Sequence, residues 1–237
     1  MLDTAAKIAL APLLVAQGLR VRRDALRLPE PPGPRAGESG DGPPLRLLIV
    51  GDSSAAGVGA PDQALALSGQ LVAALGQRHR VTWRLIARTG ATTADTLARL
   101  QDEAPDRIDA AVTALGVNDV THSVPLTRWL DQQTALRLCL AGRFAARLVL
   151  SSGLPPMRHF PALPQPLRWV IGGTAQRFDA ALTRHTAADT GWHHVAFRMA
   201  LTPELMAEDG FHPGPKGYAL WGSRLAEAID FHLAGGQ

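Results

Sequence analysis

"LRLLIVGDSSAAGVGA", Leu45 to Ala60, is a nearly continuous apolar run that stops at Gly51-Asp52-Ser53 and continues in small residues. A short apolar run ended by a turn signal fits a strand buried on both faces, and the small residues after it fit a tight turn into a helix. Such a junction has three readings: it presents a serine hydroxyl at the strand end, it cradles a nucleotide phosphate, or it is only a turn. The phosphate reading fails on spacing. A dinucleotide fingerprint needs Gly-x-Gly-x-x-Gly directly after the strand and an acidic residue near the end of the next one. Here the glycines are Gly51, Gly57 and Gly59, and the second strand ends in Arg88-Thr89. A P-loop would need Gly-Lys-Ser/Thr, which is missing.

Outward from this stretch, strand-like and helix-like segments alternate. "SGQLVAALGQRH" (68–79) has helical spacing, "VTWRLIART" (81–89) reads as a strand, and "TTADTLARLQDE" (92–103) opens on threonines suited to capping a helix. "IDAAVTALG" (108–116), the helical "LTRWLDQQTALRLCLAGRF" (126–144) and "ARLVLSSG" (146–153) follow. After the proline-broken loop "GLPPMRHFPALPQP" (153–166), a helix is predicted from about Leu167 to Ala188, then a fifth strand in "WHHVAFRM" (192–199) and a closing helix in "PKGYALWGSRLAEAIDFHL" (215–233). The alternation predicts an α/β fold with a parallel five-stranded sheet covered on both faces. In front of it, "LPEPPGPRAGESGDGPP" (28–44) has no apolar period and reads as a linker or surface-hugging arm. We therefore divide the chain into an N-terminal apolar helix plus Pro/Gly-rich arm (1–44) and one domain (45–237).

Composition narrows the function. With 46% hydrophobic and 19% charged residues the chain has the apolar area for a core. Its net charge is +3, but the cations are scattered among 21 acids rather than gathered on one face, which argues against nucleic acid as a partner. The single cysteine, Cys139, excludes an intrachain disulfide and sits in a helical pattern as a small apolar residue. No run approaches the roughly 18 to 20 apolar residues a membrane span needs. The nearest, "IALAPLLVAQGL" (8–19), has Asp3 beside Lys7 in front and Arg20, Arg22 and Arg23 behind, the reverse of a secretory leader. A cytoplasmic location is expected over secretion. Whether this helix touches a membrane surface or docks on its own domain stays open.

In an open parallel sheet, ligands collect at the carboxyl ends of the strands. These ends are followed by Gly51-Asp52-Ser53, by Thr89-Gly90, by Gly116-Val117-Asn118-Asp119, and by the loop leading to "EDGFHPGPKGY". A serine hydroxyl needs a base to take its proton, and the base needs a carboxylate to hold its tautomer. Ser53, His212 and Asp209 supply the three, the last two at a spacing of Asp-x-x-His. Acyl transfer also needs donors for an oxyanion, available in the N–H groups of Ser53 and Gly90 and the side-chain amide of Asn118.

"IVGDSSAAG", the glycine of "RTGATT", "ALGVNDV" and "DGFHPGPKGY" together resemble, in order, the four sequence blocks of the SGNH or GDSL hydrolases. The resemblance covers roughly Leu45 to Leu233. It implies a flavodoxin-like three-layer α/β/α fold and a serine esterase or acylhydrolase working through an acyl-serine. Ser53 then maps to the nucleophile, Asp209 and His212 to the rest of the triad, and Gly90 and Asn118 with the Ser53 N–H to the oxyanion hole. One departure is Ser54, where many members carry leucine or isoleucine. Asp52 and Asp119 are read as loop-anchoring residues, Asp119 holding the first loop.

The expected substrate is a small-molecule or lipid-like ester. Alternatives with the same machinery are a carbohydrate deacetylase, a thioesterase or a lysophospholipase; a non-enzyme alternative is an inactive membrane-peripheral binding module. No cofactor and no metal are expected, because adjacent His193 and His194 point to opposite faces of a strand and His122, His159 and His185 lack partners at ligand spacing. Trp169 and Trp221 are expected in the core. Pocket shape is assigned to the loops near Ala60 to Leu67 and Pro155 to Pro166.

Overall fold

The computed structural model describes residues 9–235. Asp3, Lys7 and Ile8, on which part of the leader argument rests, lie outside the described residues. The first helix, α1 (Ala11–Asp24), is followed by the edge strand β1 (Ala36–Ser39). Then come β2 (Pro44–Gly51), α2 (Ser53–Ala56), α3 (Leu67–Leu75), β3 (Arg80–Ala87) and α4 (Thr93–Asp102). The second half runs β4 (Ala110–Ala114), α5 (Val117–Thr121), α6 (Leu126–Arg143), β5 (Leu148–Ser152), α7 (Leu167–Thr186), β6 (Trp192–Val195) and α8 (Pro215–Ala234).

The sheet order is β1-β3-β2-β4-β5-β6. The five strands expected from the sequence pair in parallel, in the doubly wound order with its switch point beside β2. The sixth is a correction to the five-stranded expectation. Ala36 to Ser39, inside the stretch expected to be an arm without regular structure, pair antiparallel with β3. Because β1 is short and mostly exposed at the edge, it carries no apolar alternation to read. The arm is held further by Arg35, which pairs with Glu30, while Glu30 accepts from the Thr89 N–H at 2.7 Å.

Alternate side chains of the central strands face two cores. Leu47, Ile49, Val81 and Val112 pack under α3 and α8 with Leu71, Leu75, Tyr218 and Leu225. Leu48, Val50, Ala111 and Val149 pack under α4, α6 and α7 with Leu100, Trp129, Leu140 and Phe178. This is the expected three-layer sandwich. Trp221 is buried in the first core, whereas Trp169 is 44% exposed, which corrects its expected core placement. At the start of α4, Thr92 and Asp95 form a reciprocal capping box.

The register places the functional loops. Gly51 lies beside Ala87 on one side and Ala114 on the other, so β2, β3 and β4 end level with one another. Their outgoing loops therefore meet at one edge of the sheet.

Candidate active site

Gly51 makes the sharp exit from β2 feasible. A Cβ there would lie 2.4 Å from the Ala114 carbonyl and 2.6 Å from the Ala55 side chain. Asp52 caps α2, accepting from the Ser54 N–H at 3.0 Å, as its loop-anchoring reading expected. Ser53 is thus the first helical residue, where its N–H has no intrahelical acceptor. Its Oγ lies 2.8 Å from His212 Nε2, while His212 Nδ1 is 2.5 Å from Asp209 Oδ2. Ser54 Oγ makes no hydrogen bond to the histidine, so Ser53 is the hydroxyl that the fold brings to His212.

The His212 loop is a compact hairpin closed by a bridge between Met206 and Pro213 and by the Ala207 N–H donating to the His212 carbonyl. Asp209 Oδ1 accepts from the N–H groups of Phe211 and His212 at 2.9 and 3.0 Å. Burial raises the Asp209 carboxyl, but hydrogen bonding from His212 and from those two N–H groups outweighs it and holds the group below its usual range. It stays ionised beside the imidazole. Gly59, at φ +99°, is where the Ser53 turn meets this hairpin: a Cβ would sit 2.5 Å from the Pro213 carbonyl and 2.8 Å from Ala207 Cβ. The buried Tyr218 hydroxyl ties the same places together, donating to the Val58 carbonyl at 2.6 Å.

Asn118 enters from α5 after β4. Its Nδ2 donates to the Ala91 carbonyl at 3.0 Å and, longer, to Asp52 Oδ2 at 3.4 Å. Gly90 sits exposed in the turn after β3, and Ser53, Gly90, Asn118 and His212 line one cavity. Asp119 is buried and accepts from the Thr93 N–H and hydroxyl, so it anchors the loop after β3 rather than the Ser53 loop for which it was expected. Trp129 and Gln133 of α6 both donate to the Thr93 hydroxyl, extending the anchor into the core.

Burial pushes the Asp52 carboxyl up to about 6, against the pull of the Ser54 N–H and of His212, with Asp119 adding to the rise. This value lies above the unfolded one of about 3.9, so the folded state binds an extra proton between roughly pH 4 and 6 and loses stability as pH rises through that window. Asp52→Asn removes this titration. Relative to the parent, the variant should gain up to about 3 kcal/mol of stability on going from about pH 4 to about pH 8. Urea denaturation at both pH values reads the difference, and an unchanged gap would mean that Asp52 ionises as freely as a surface carboxylate.

The cavity measures 1260 Å³, above the usual range for a small-molecule site. Its wall is mostly apolar: Met157, Phe160 and Leu163 from the loop after β5, Leu167 and Ile171 from α7, and Leu14 and Val21 from α1. The Pro155 to Pro166 loop therefore shapes it as expected, but the Ala60 to Leu67 loop, also expected to shape it, does not line it. The unforeseen wall is α1. Helix α1 is pinned by Gln17, which donates to the Gln165 carbonyl at 2.7 Å and accepts from the Leu167 N–H at 3.1 Å.

The sequence of residues 49–220 matches the model of the GDSL-like Lipase/Acylhydrolase family. The chain belongs to that family. No curated protein matches it in sequence. Among solved structures, the psychrotrophic esterase EstA of a Pseudoalteromonas species is similar at a TM-score of 0.61 and 20% identity, over 80% of this chain and 98% of that one. The acetylxylan esterase Axe2 of Geobacillus stearothermophilus gives 0.60 and 17%, over 79% and 95%. An extracellular lipase of Streptomyces rimosus gives 0.54 and 18%, over 79% and 99%. At these identities the likeness is one of fold. A fold shared at such identities does not by itself fix the chemistry, which depends on the residues at the strand ends.

Other polar residues of this GDSL-like chain are accounted for structurally. His193 stacks on His232 at 3.6 Å while His194 Nε2 reaches Asp179 Oδ1 at 2.8 Å, on opposite faces as expected. His122 and His185 bind the Asn118 carbonyl and the Thr134 hydroxyl, and His159 is exposed away from the cavity wall. Cys139 is half-buried, and burial pushes its thiol up, away from reactivity. Among the described residues no cluster of three or more metal-binding side chains occurs, and no helix is long and apolar enough to cross a membrane.

Proposed function

We propose that the protein is a serine esterase or acylhydrolase that cleaves carboxylic esters through an acyl-serine intermediate. The observation that carries this reading is the unbroken contact from Ser53 Oγ through His212 to Asp209, opening on an apolar cavity. Ser53 Oγ attacks the ester carbonyl carbon as His212 Nε2 takes the hydroxyl proton. The carbonyl oxygen becomes an oxyanion, met by the N–H groups of Ser53 and Gly90 and by Asn118 Nδ2. Of the two Asn118 bonds, the 3.4 Å one to Asp52 is the one a substrate oxygen displaces at least cost. The tetrahedral centre collapses as His212 returns the proton to the leaving oxygen, releasing the alcohol. Water, deprotonated by His212, then attacks the acyl-serine and frees the carboxylic acid.

The apolar wall favours an acyl chain of several carbons over acetyl. Each buried methylene contributes about 0.8 kcal/mol, or roughly fourfold in kcat/KM, until the chain outgrows the cavity. A p-nitrophenyl ester series from acetate to dodecanoate should therefore show kcat/KM rising with length. A maximum at acetate would instead support the deacetylase alternative. A fluorophosphonate should label one residue, identified as Ser53 by peptide mass spectrometry; no labelling together with no turnover would overturn the hydrolase reading.

A further inference from the structure

We propose that α1 docks the protein on an anionic lipid bilayer and sets the mouth of the acyl cavity against that surface, so that single-chain amphiphilic esters enter from the lipid phase. The proposal rests on the acylhydrolase reading for its second half only.

The argument starts from the two sides of α1. Leu14 and Val21 face inward and pack against the core, and Gln17 clamps the helix to the start of α7. Val15 and Leu19 follow one turn apart on the adjoining side. Each lines the cavity and yet is 63% exposed, so the apolar interior continues outward onto the surface at this point. A wall that stays apolar to its outer edge is costly against water and suits an apolar phase.

Charge selects which apolar phase. Between Arg20 and Arg27 the chain has four arginines, Arg20, Arg22, Arg23 and Arg27, against one acid, Asp24. Arg22 itself lines the cavity together with Val15 and Leu19, and so does Arg177 of α7. The cavity-lining residues include one carboxylate, the buried Asp52 at its floor. An apolar pair flanked by guanidinium groups matches the acyl boundary and phosphate layer of an anionic membrane. A second copy of the chain would bring arginine to face arginine.

Geometry gives the substrate the same direction. Ser53 and His212 lie on the cavity wall together with Met157, Phe160 and Leu14, and the exposed Val15–Leu19 edge belongs to that one cavity. An amphiphile entering there, chain first, carries its ester toward Ser53 and leaves a phosphate or carboxylate headgroup near Arg22 and Arg177.

The test is vesicle flotation of the full chain in low salt, with vesicles of phosphatidylcholine alone or with phosphatidylglycerol added. Flotation is expected with the anionic vesicles only, and high salt should reduce it. Each arginine near such a surface contributes about fivefold in partitioning, so Arg20→Glu/Arg23→Glu should lower binding by at least about 25-fold. That variant changes residues outside the cavity, and its turnover of a short soluble ester should equal the parent's. Val15→Asp/Leu19→Asp should also abolish flotation. Ser53→Ala should float like the parent, which separates failure of this proposal from failure of the hydrolase reading. Absence of flotation with anionic vesicles, equal flotation of the arginine variant, or a dimer in light scattering that the Val15/Leu19 variant disperses would overturn the proposal.

Discussion

Ser53→Ala should lower kcat on a p-nitrophenyl ester by about a million-fold, to the level left by substrate binding and oxyanion donors alone. The size follows from connectivity. His212 Nε2 is 2.8 Å from Ser53 Oγ, so removing the hydroxyl leaves the base with no proton to take and the carbonyl with no nucleophile. Ser54 does not substitute, because it is not the hydroxyl in contact with His212. Ser53 is only half-buried and, among the described residues, its hydroxyl bonds to His212 alone, so the variant should melt close to the parent. Stopped-flow or long-time absorbance assays read the loss. Residual turnover above a thousandth of the parent's would reassign the nucleophile.

Asp209→Asn should cost about ten-thousand-fold in kcat while leaving the hairpin folded. The amide oxygen of asparagine can still accept from the Phe211 and His212 N–H groups, so the backbone contacts at Asp209 Oδ1 survive. What is lost lies at Oδ2, 2.5 Å from His212 Nδ1. A carboxylate there holds the imidazole with its proton on Nδ1 and stabilises the cation formed when Ser53 is deprotonated; an amide does neither, and its N–H2 favours the wrong tautomer. The carboxyl of Asp209 is held below its usual range, so its support for the folded state is fully present above the unfolded value of about 3.9 and fades only as pH falls below it. The catalytic loss should therefore be constant across neutral pH. A loss of less than tenfold at about pH 8 would remove Asp209 from the triad.

Much of this was legible in the chain. The run from Leu45 to Val50 announced a doubly covered strand because both its faces are buried, and the strand-helix alternation fixed a parallel sheet whose carboxyl ends hold the site. The four polar blocks were visible because reactive loops demand particular residue types at short spacing. Three things were not. β1 is an exposed edge strand of Ala36 to Ser39, whose pairing comes from backbone groups that leave no mark on side-chain pattern. The Asp119–Thr93 bond joins residues 26 positions apart, and both partners read as ordinary turn and cap residues. The α1 wall depended on Gln17 finding the backbone near Gln165, a contact 148 residues away in sequence that no periodicity encodes. The mixed apolar and basic character of α1 was visible, and its place against the cavity was not.

Gly59 and Tyr218 have a consequence for when Ser53 and His212 can meet. Ser53 and His212 are separated by 159 positions, the Gly59 turn packs closely on the His212 hairpin, and the Tyr218 hydroxyl that reaches the Val58 carbonyl comes from α8, later still in the chain. During synthesis the serine emerges from the ribosome long before the histidine it contacts exists. An unfinished chain, or one clipped before His212, thus lacks the partner that Ser53 Oγ meets in the folded protein.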